Sequence, residues 1–180
     1  GRALAEAQHV AEAIGDTGEI ISSGGALRQC LGSGATLERR TIDADDAAAV
    51  TEALVAGGHK VLILKDPEAC GYDYLVVGSG ALDPASQWWF EHHPVTLRHV
   101  DRIEDDPDPE ESVRVGAVAK ADRLAPIARA ITAAHGERLL VRHWAAVTAQ
   151  AFQSETHLLE AFEPSATKWE MVLGYCAVHG

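Results

Sequence analysis

Gly57-Gly58-His59-Lys60-Val61-Leu62-Ile63-Leu64-Lys65-Asp66 is the stretch on which the fold turns. Two glycines end whatever helix precedes it, four apolar residues follow without interruption, and a charged pair closes the run. A strand with one wet face alternates apolar and polar residues, so a run without alternation predicts a strand covered on both faces. Leu75-Val76-Val77 and Leu139-Leu140-Val141 repeat the pattern.

Helix signals lie between these runs. Asp43 reads as an N-cap, with Asp45 and Asp46 in the first turn where the helix dipole favours negative charge. That helix runs to Ala56 and buries Ala47, Val50 and Leu54. Asp83-Pro84 opens another, which carries Trp88, Trp89 and Phe90 and ends before Pro94. Asp122 opens a third, closed by Gly136, and residues 3–14 form a helix at the start. Ala26–Leu31 reads as a helical turn, Trp144–Phe162 as a long helix stopped by Pro164, and Lys168–Val178 as a closing strand.

Alternation of helices with apolar strands predicts an α/β fold. Its central sheet is mostly parallel with helices on both faces, a Rossmann-like or RecA-like layering. One exception is expected. Residues 95–103 and 112–118 are strand-like and flank Glu104-Asp105-Asp106-Pro107-Asp108-Pro109-Glu110-Glu111, which predicts one antiparallel hairpin around an acidic surface loop at 104–111. The 180 residues are read as a single domain, 1–180.

Fifteen Lys plus Arg against 27 Asp plus Glu give a formal charge of −12, which argues against nucleic acid and anionic membranes as partners. No run of about 18 uncharged apolar residues predicts a membrane span. The first 20 residues hold no apolar core of a signal peptide. Cys30, Cys70 and Cys176 lie far apart, without C-x-x-C spacing, so reduced thiols and a cytoplasmic location are expected. No nucleotide or redox-cofactor motif is complete: Asp83 stands where Gly78-Ser79-Gly80 would need its third glycine. The cofactor is therefore left unknown.

Candidate site residues follow from the rule that α/β sheets bind ligands at strand carboxyl ends. Asp66, His99 and His143 are read as proton carriers, and Ser79 and Gly80 as a cradle for an anionic group. Asp101 and Arg142 join them as ligand-binding residues. On a helical wheel Glu155 falls inside the apolar stripe of the 144–162 helix while Glu160 faces away, which makes Glu155 a perturbed carboxylate or a buried ion pair. Three adjacent aromatics cannot all face one core, so Trp88 and Trp89 are candidates for a pocket wall or for a homo-oligomer contact through Trp88–Phe90. His93, His99 and Asp101 form an alternative metal set, since residues two apart on a strand share a face. Ser22-Ser23-Gly24-Gly25 lacks the flanks of a nucleophile elbow and reads as a loop.

From Arg142 through Glu160-Ala161-Phe162 to Leu173-Gly174-Tyr175-Cys176 the chain resembles the end of RecA-like sensory domains of bacterial regulators, with Gly57–Leu64 in a compatible position. The resemblance implies layered α/β architecture and transfers no site residue. The leading functional expectation is a small-molecule-binding α/β domain with its pocket at the strand carboxyl ends, using acid–base chemistry without a redox cofactor if it is an enzyme. A non-catalytic signal-sensing or regulatory interaction module is the alternative, and a His/Asp metal protein a further one.

Overall fold

The structure is a computed structural model that describes residues 2–15, 18–146 and 156–179. The chain opens with α1 (Leu4–Ala13), then β1 (Glu19–Ser22), β2 (Leu27–Cys30) and β3 (Thr36–Arg39), which form a three-stranded antiparallel sheet. There follow α2 (Ala44–Ala56), β4 (Val61–Lys65), α3 (Pro67–Cys70), β5 (Tyr74–Val77), α4 (Pro84–His92) and β6 (Leu97–Val100). The remaining elements are β7 (Ser112–Lys120), α5 (Ala121–His135), β8 (Leu140–Ala145), β9 (Thr156–Phe162) and α6 (Lys168–His179). Strands β4 to β9 build a six-stranded sheet in the order β6-β5-β4-β7-β9-β8.

The α/β class and its coverage on both faces match the sequence reading. All of β4 and β5 is buried. Val61, Ile63, Leu75, Val77, Val115 and Leu159 pack under α2 and α5 through Val50, Leu54, Leu124 and Ile131. Leu62, Leu64, Tyr74, Val76 and Phe162 face the other way, toward Ala3, Ala26, Leu27 and Phe90 of α4. Each such aliphatic side chain contributes about 1.5–3 kcal/mol when fully buried. Asp43 caps α2 as expected, accepting from the backbone N–H of Asp45 at 3.0 Å and Asp46 at 3.3 Å. Asp46 then ties α2 to α5 and the turn after it, through Arg138 at 2.7 Å and His135 at 2.9 Å.

Strand direction departs from the expected mostly parallel sheet. Among the described strands only β5 and β6 run parallel; the pairs β4–β5, β4–β7, β7–β9 and β8–β9 are antiparallel, so the sheet is mixed. Apolar runs record coverage on both faces, not direction. The link from β4 to β5 holds only α3 and its flanks, too short for the crossover that a parallel pair needs. The hairpin is also elsewhere. β5 and β4 stand between β6 and β7, so the acidic segment 104–111 passes from one to the other instead of closing a hairpin. The antiparallel hairpin of the N-terminal part is β1–β2, which replaces the helical turn expected over Ala26–Leu31.

Two further elements change type. The segment read as a helix over 144–162 contains the end of β8 and all of β9, and Val147, Ala151, Phe152 and Glu155 lie outside the described residues. In β9, Leu159 and Ala161 face α5 while Glu160 and Phe162 face the opposite side, and a strand that is apolar on both faces also satisfies a helical stripe. Lys168–His179 is a helix and not a strand. Its Met171 is buried, but Trp169 is 66% and Val178 75% exposed. No described helix is long and apolar enough to cross a membrane.

Candidate functional site

Three stretches meet the face of the large sheet that carries Tyr74 and Phe162: the start of α1, the Ser22–Gly25 turn and the start of α6. Ser23 is the only described non-glycine residue with positive φ, at +50°, and Gly24 and Gly25 follow at +75° and +109°. A left-handed backbone at a serine costs roughly 1–2 kcal/mol. The close fit explains why glycines are needed next to it. A Cβ on Gly24 would stand 2.9 Å from the Phe162 ring, and one on Gly25 would collide with the Thr167 backbone. The Ser23 N–H holds the turn to the Arg2 carbonyl at 2.7 Å.

Beneath this seam runs a chain of buried polar groups. Arg114 donates to Glu160 Oε1 at 2.9 Å and to the Tyr74 hydroxyl at 3.3 Å. Trp144 Nε1 donates to Glu160 Oε2 at 3.0 Å. The Tyr74 hydroxyl donates to Glu6 Oε1 at 3.0 Å, Trp89 Nε1 donates to the same oxygen, and the Ala3 N–H donates to Glu6 Oε2 at 2.6 Å. Glu6, Arg114 and Glu160 are all buried. Burial opposes the charge on Arg114, but Tyr74, Glu160 and Glu6 outweigh it and raise its pKa. Burial likewise works against ionised Glu160, and the Arg114 charge with the Trp144 hydrogen bond brings its pKa below the usual value. Burial above all pushes the Tyr74 hydroxyl up, so it stays protonated and keeps its proton for Glu6. Two more guanidiniums share the face: Arg142 lies 5.4 Å from the Phe162 ring centre and Arg2 5.4 Å from the Trp89 ring. Three arginines therefore lie along this one face, in a chain of net charge −12. The arrangement can hold a small anion or a hydroxylated ligand; its fixed dipoles need no reorganisation on binding.

The mixed sheet divides the residues read from the sequence between its two edges. Asp66 leaves β4 toward one edge and is wholly consumed there. It caps α3 through the Glu68 N–H at 3.1 Å, accepts from Thr36 at 2.9 Å and pairs with Arg39 at 2.7 Å. Beside it Lys65 is fully buried against Asp106 Oδ2 at 2.7 Å, the Asp108 carbonyl at 2.7 Å and Ser112 Oγ at 2.9 Å. The same surroundings bury the Cys70 thiol, which is pushed up to about 12.

Ser79, Gly80 and Asp101 end β5 and β6 at the opposite edge, since these two strands run antiparallel to β4 and each other's Val77 and Val100 are paired. There Gly58, His59, Lys60, Leu82, Asp83 and Val118 are among the residues lining a cleft of about 190 Å³ next to the Gly78–Gly80 turn. Burial first, and Arg123 second, lower the His59 pKa. His143 and Arg142 lie on β8, four places from β5 in the sheet, on the order of 19 Å at the usual strand spacing. His99 is exposed on the edge strand β6. Asp66, His99 and His143 are thus not brought together. Nor are His93, His99 and Asp101, because no described group of three such side chains could hold a metal. His93 instead bonds the Trp89 carbonyl at 2.8 Å and stacks on the Trp89 ring.

The three aromatics of α4 divide as their adjacency requires. Phe90 meets Tyr74 edge-on at 5.1 Å in the core, Trp89 reaches Glu6, and Trp88 stacks on His92. Glu6, Tyr74, Arg114 and Glu160 were absent from the sequence-based set. A signal existed in Val113-Arg114-Val115 and Leu159-Glu160-Ala161, where one charge interrupts an apolar run.

No protein-family model matches the sequence, and no curated protein matches it. Solved structures do. A haloacid dehalogenase-like hydrolase from Bacteroides thetaiotaomicron superposes with a TM-score of 0.72 at 14% identity, covering 99% of this chain and 62% of that one. The fold is similar to that of haloacid dehalogenase (HAD)-like hydrolases. A HAD-like hydrolase from B. subtilis gives a TM-score of 0.68 at 14% identity, over 98% of this chain and 64% of its own. A HAD subclass IIB sugar phosphatase gives 0.65 at 11% identity, over 97% and 57%. The chain spans about three fifths of the length of these HAD-like neighbours.

Proposed function

We propose that this chain is the ligand-recognising part of a hydrolase that acts on phosphorylated small molecules, with phosphorylated sugars as the first class to try. The observation that carries the reading is the likeness of nearly the whole chain to HAD-like hydrolases, a sugar phosphatase among them. The seam supports it. Arg142, over the Phe162 ring, supplies positive charge for a phosphoryl group, and Arg114, held in place by Glu160 and Tyr74, lies in the floor of the same face. The strained Ser23 turn marks the same place. The proton-carrying roles read for Asp66, His99 and His143 share no step in this proposal, because the sheet separates them. Ser79, Gly80 and Asp101 remain proposed ligand contacts near, but not lining, the cleft at the other end of the strands.

Calorimetric titration of the chain with glucose 6-phosphate, glucose and inorganic phosphate tests the proposal. The phosphorylated sugar should bind more tightly than glucose, and Arg142→Ala should weaken it by about 10- to 100-fold, the usual worth of a charge-assisted hydrogen bond. Equal affinity for the sugar with and without phosphate, or no response to Arg142→Ala, overturns it. Binding is the readout, since the neighbours hold two fifths of their length outside the matched region.

A further inference from the structure

We infer that His143 and His157 form a two-histidine chelate for a late first-row divalent cation, Zn²⁺, Ni²⁺ or Cu²⁺, on the face of the sheet opposite the seam. The strand register creates the pair. In the antiparallel β8–β9 ladder His143 stands opposite Leu159 and Ala145 opposite His157, so the two imidazoles are diagonal neighbours on one face. Their neighbours in sequence, Arg142 and Trp144 on β8 and Leu158 on β9, point the other way. His143 Nε2 and His157 Nδ1 approach to 3.2 Å, with ring centres 4.9 Å apart and ring planes at 46°.

That separation suits a shared metal. Two imidazole nitrogens on one tetrahedral Zn²⁺, each about 2.05 Å from it, lie about 3.3 Å apart. At the observed spacing the cation would sit about 1.3 Å off the line joining the nitrogens, so each ring aims its lone pair up to about 39° away from that line to meet it. In the free protein one ring donates a proton to the other. Coordination needs both facing lone pairs, so the donor ring moves its proton to its second nitrogen, and neutral rings release no net proton. No third described His, Cys, Asp or Glu joins the pair, so water completes the coordination and the site is open. The His93, His99 and Asp101 set is unrelated to it.

Titration of the untagged chain with ZnSO₄, NiCl₂, CuSO₄ and MgCl₂ tests the assignment by calorimetry, with imidazole NMR identifying the ligands. One equivalent should bind, Cu²⁺ most tightly, with no response to Mg²⁺. Zn²⁺ should shift the His143 and His157 ring signals alone. His143→Ala and His157→Ala should each weaken binding at least about tenfold. A His92→Ala/His93→Ala variant should bind as the parent does, since those rings are engaged with the Trp88 and Trp89 carbonyls. The ring shifts are read on the parent protein, so they decide the matter even if a variant fails to fold. No stoichiometric binding, shifts at other histidines, or unchanged affinity in the folded double variant His143→Ala/His157→Ala overturns the proposal.

Discussion

Two buried ionic networks sit near the same end of the large sheet, and they differ in what surrounds them. Around Lys65 and Asp66 every partner belongs to a neighbouring loop, strand or the short helix α3: Asp106, Asp108 and Ser112 hold Lys65, while Arg39, Thr36 and Glu68 hold Asp66. That network fastens the acidic segment and β3 to the end of β4. Around Arg114 and Glu160 the partners are the sheet itself and the first turn of α1, and above them lie a strained turn and two further arginines. Burial of charge is common to both. The first reaches the surface through Arg39 and Glu111, whereas the second lies beneath the turn and the arginines that the proposal gives to the ligand. The difference teaches that a buried charge in a sequence marks a place worth attention, while the company it keeps decides between a fastening and a binding floor.

The comparison can be broken first at Lys65. Lys65→Met should cost about 3–5 kcal/mol in urea unfolding, because it strands the buried Asp106 carboxylate without its cation. It should leave glucose 6-phosphate affinity unchanged under conditions where the variant remains folded. Glu160→Gln keeps the shape and removes the charge opposite Arg114, at a cost of roughly 1–3 kcal/mol. Here ligand affinity should fall as well, and a variant that loses stability but binds normally would make the two networks equivalent. A third ion pair, between Asp46 and Arg138, calibrates the scale. Arg138 chiefly, with His135, holds the Asp46 pKa at about 2 against the ordinary 3.8, while burial opposes them. The folded pKa is depressed, so the stabilisation is present above about pH 4 and disappears as pH falls toward 2. Arg138 is 60% exposed, so solvent screens the pair and the effect is small. Acid titration of stability in Asp46→Asn should lack that slope. The smallest effect belongs to His59, whose burial keeps it neutral; the chain should lose a little stability as pH falls below about 6.5, and His59→Gln should remove that loss.

Helix caps were readable because their chemistry is local: Asp43 begins α2 by accepting from the Asp45 and Asp46 N–H groups, and Asp83 begins α4 by accepting from the Ala85 N–H. Coverage of β4 and β5 was readable because the runs 61–64 and 75–77 have no polar alternation. Direction was not, since whether β4 and β5 run together depends on the link between them, and four residues of α3 leave no crossover. That single reversal sent Asp66 to one edge and Ser79, Gly80 and Asp101 to the other, and dispersed the crevice expected at the strand carboxyl ends. Helical spacing in 156–162 was coincidental, because an apolar strand covered twice offers a stripe at almost any period. Glu160 was read as facing away for that reason, and it is buried.

The pairing of β4 with β7 joins Leu62 to Gly116 and Ile63 to Val115, across a loop that contains β5, α4 and β6. β4 and β5 can meet early, for only a short link separates them. β7 can dock only after the long excursion has been drawn closed, and the Lys65 contacts with Asp106, Asp108 and Ser112 form at that closure. Those contacts are non-local, which places them late on the folding route. Interactions made after the rate-limiting step govern how fast a protein comes apart more than how fast it assembles. Removing the lysine at the end of the central strand should therefore quicken unfolding more than it slows refolding, which stopped-flow unfolding and refolding of Lys65→Met against the parent would read out.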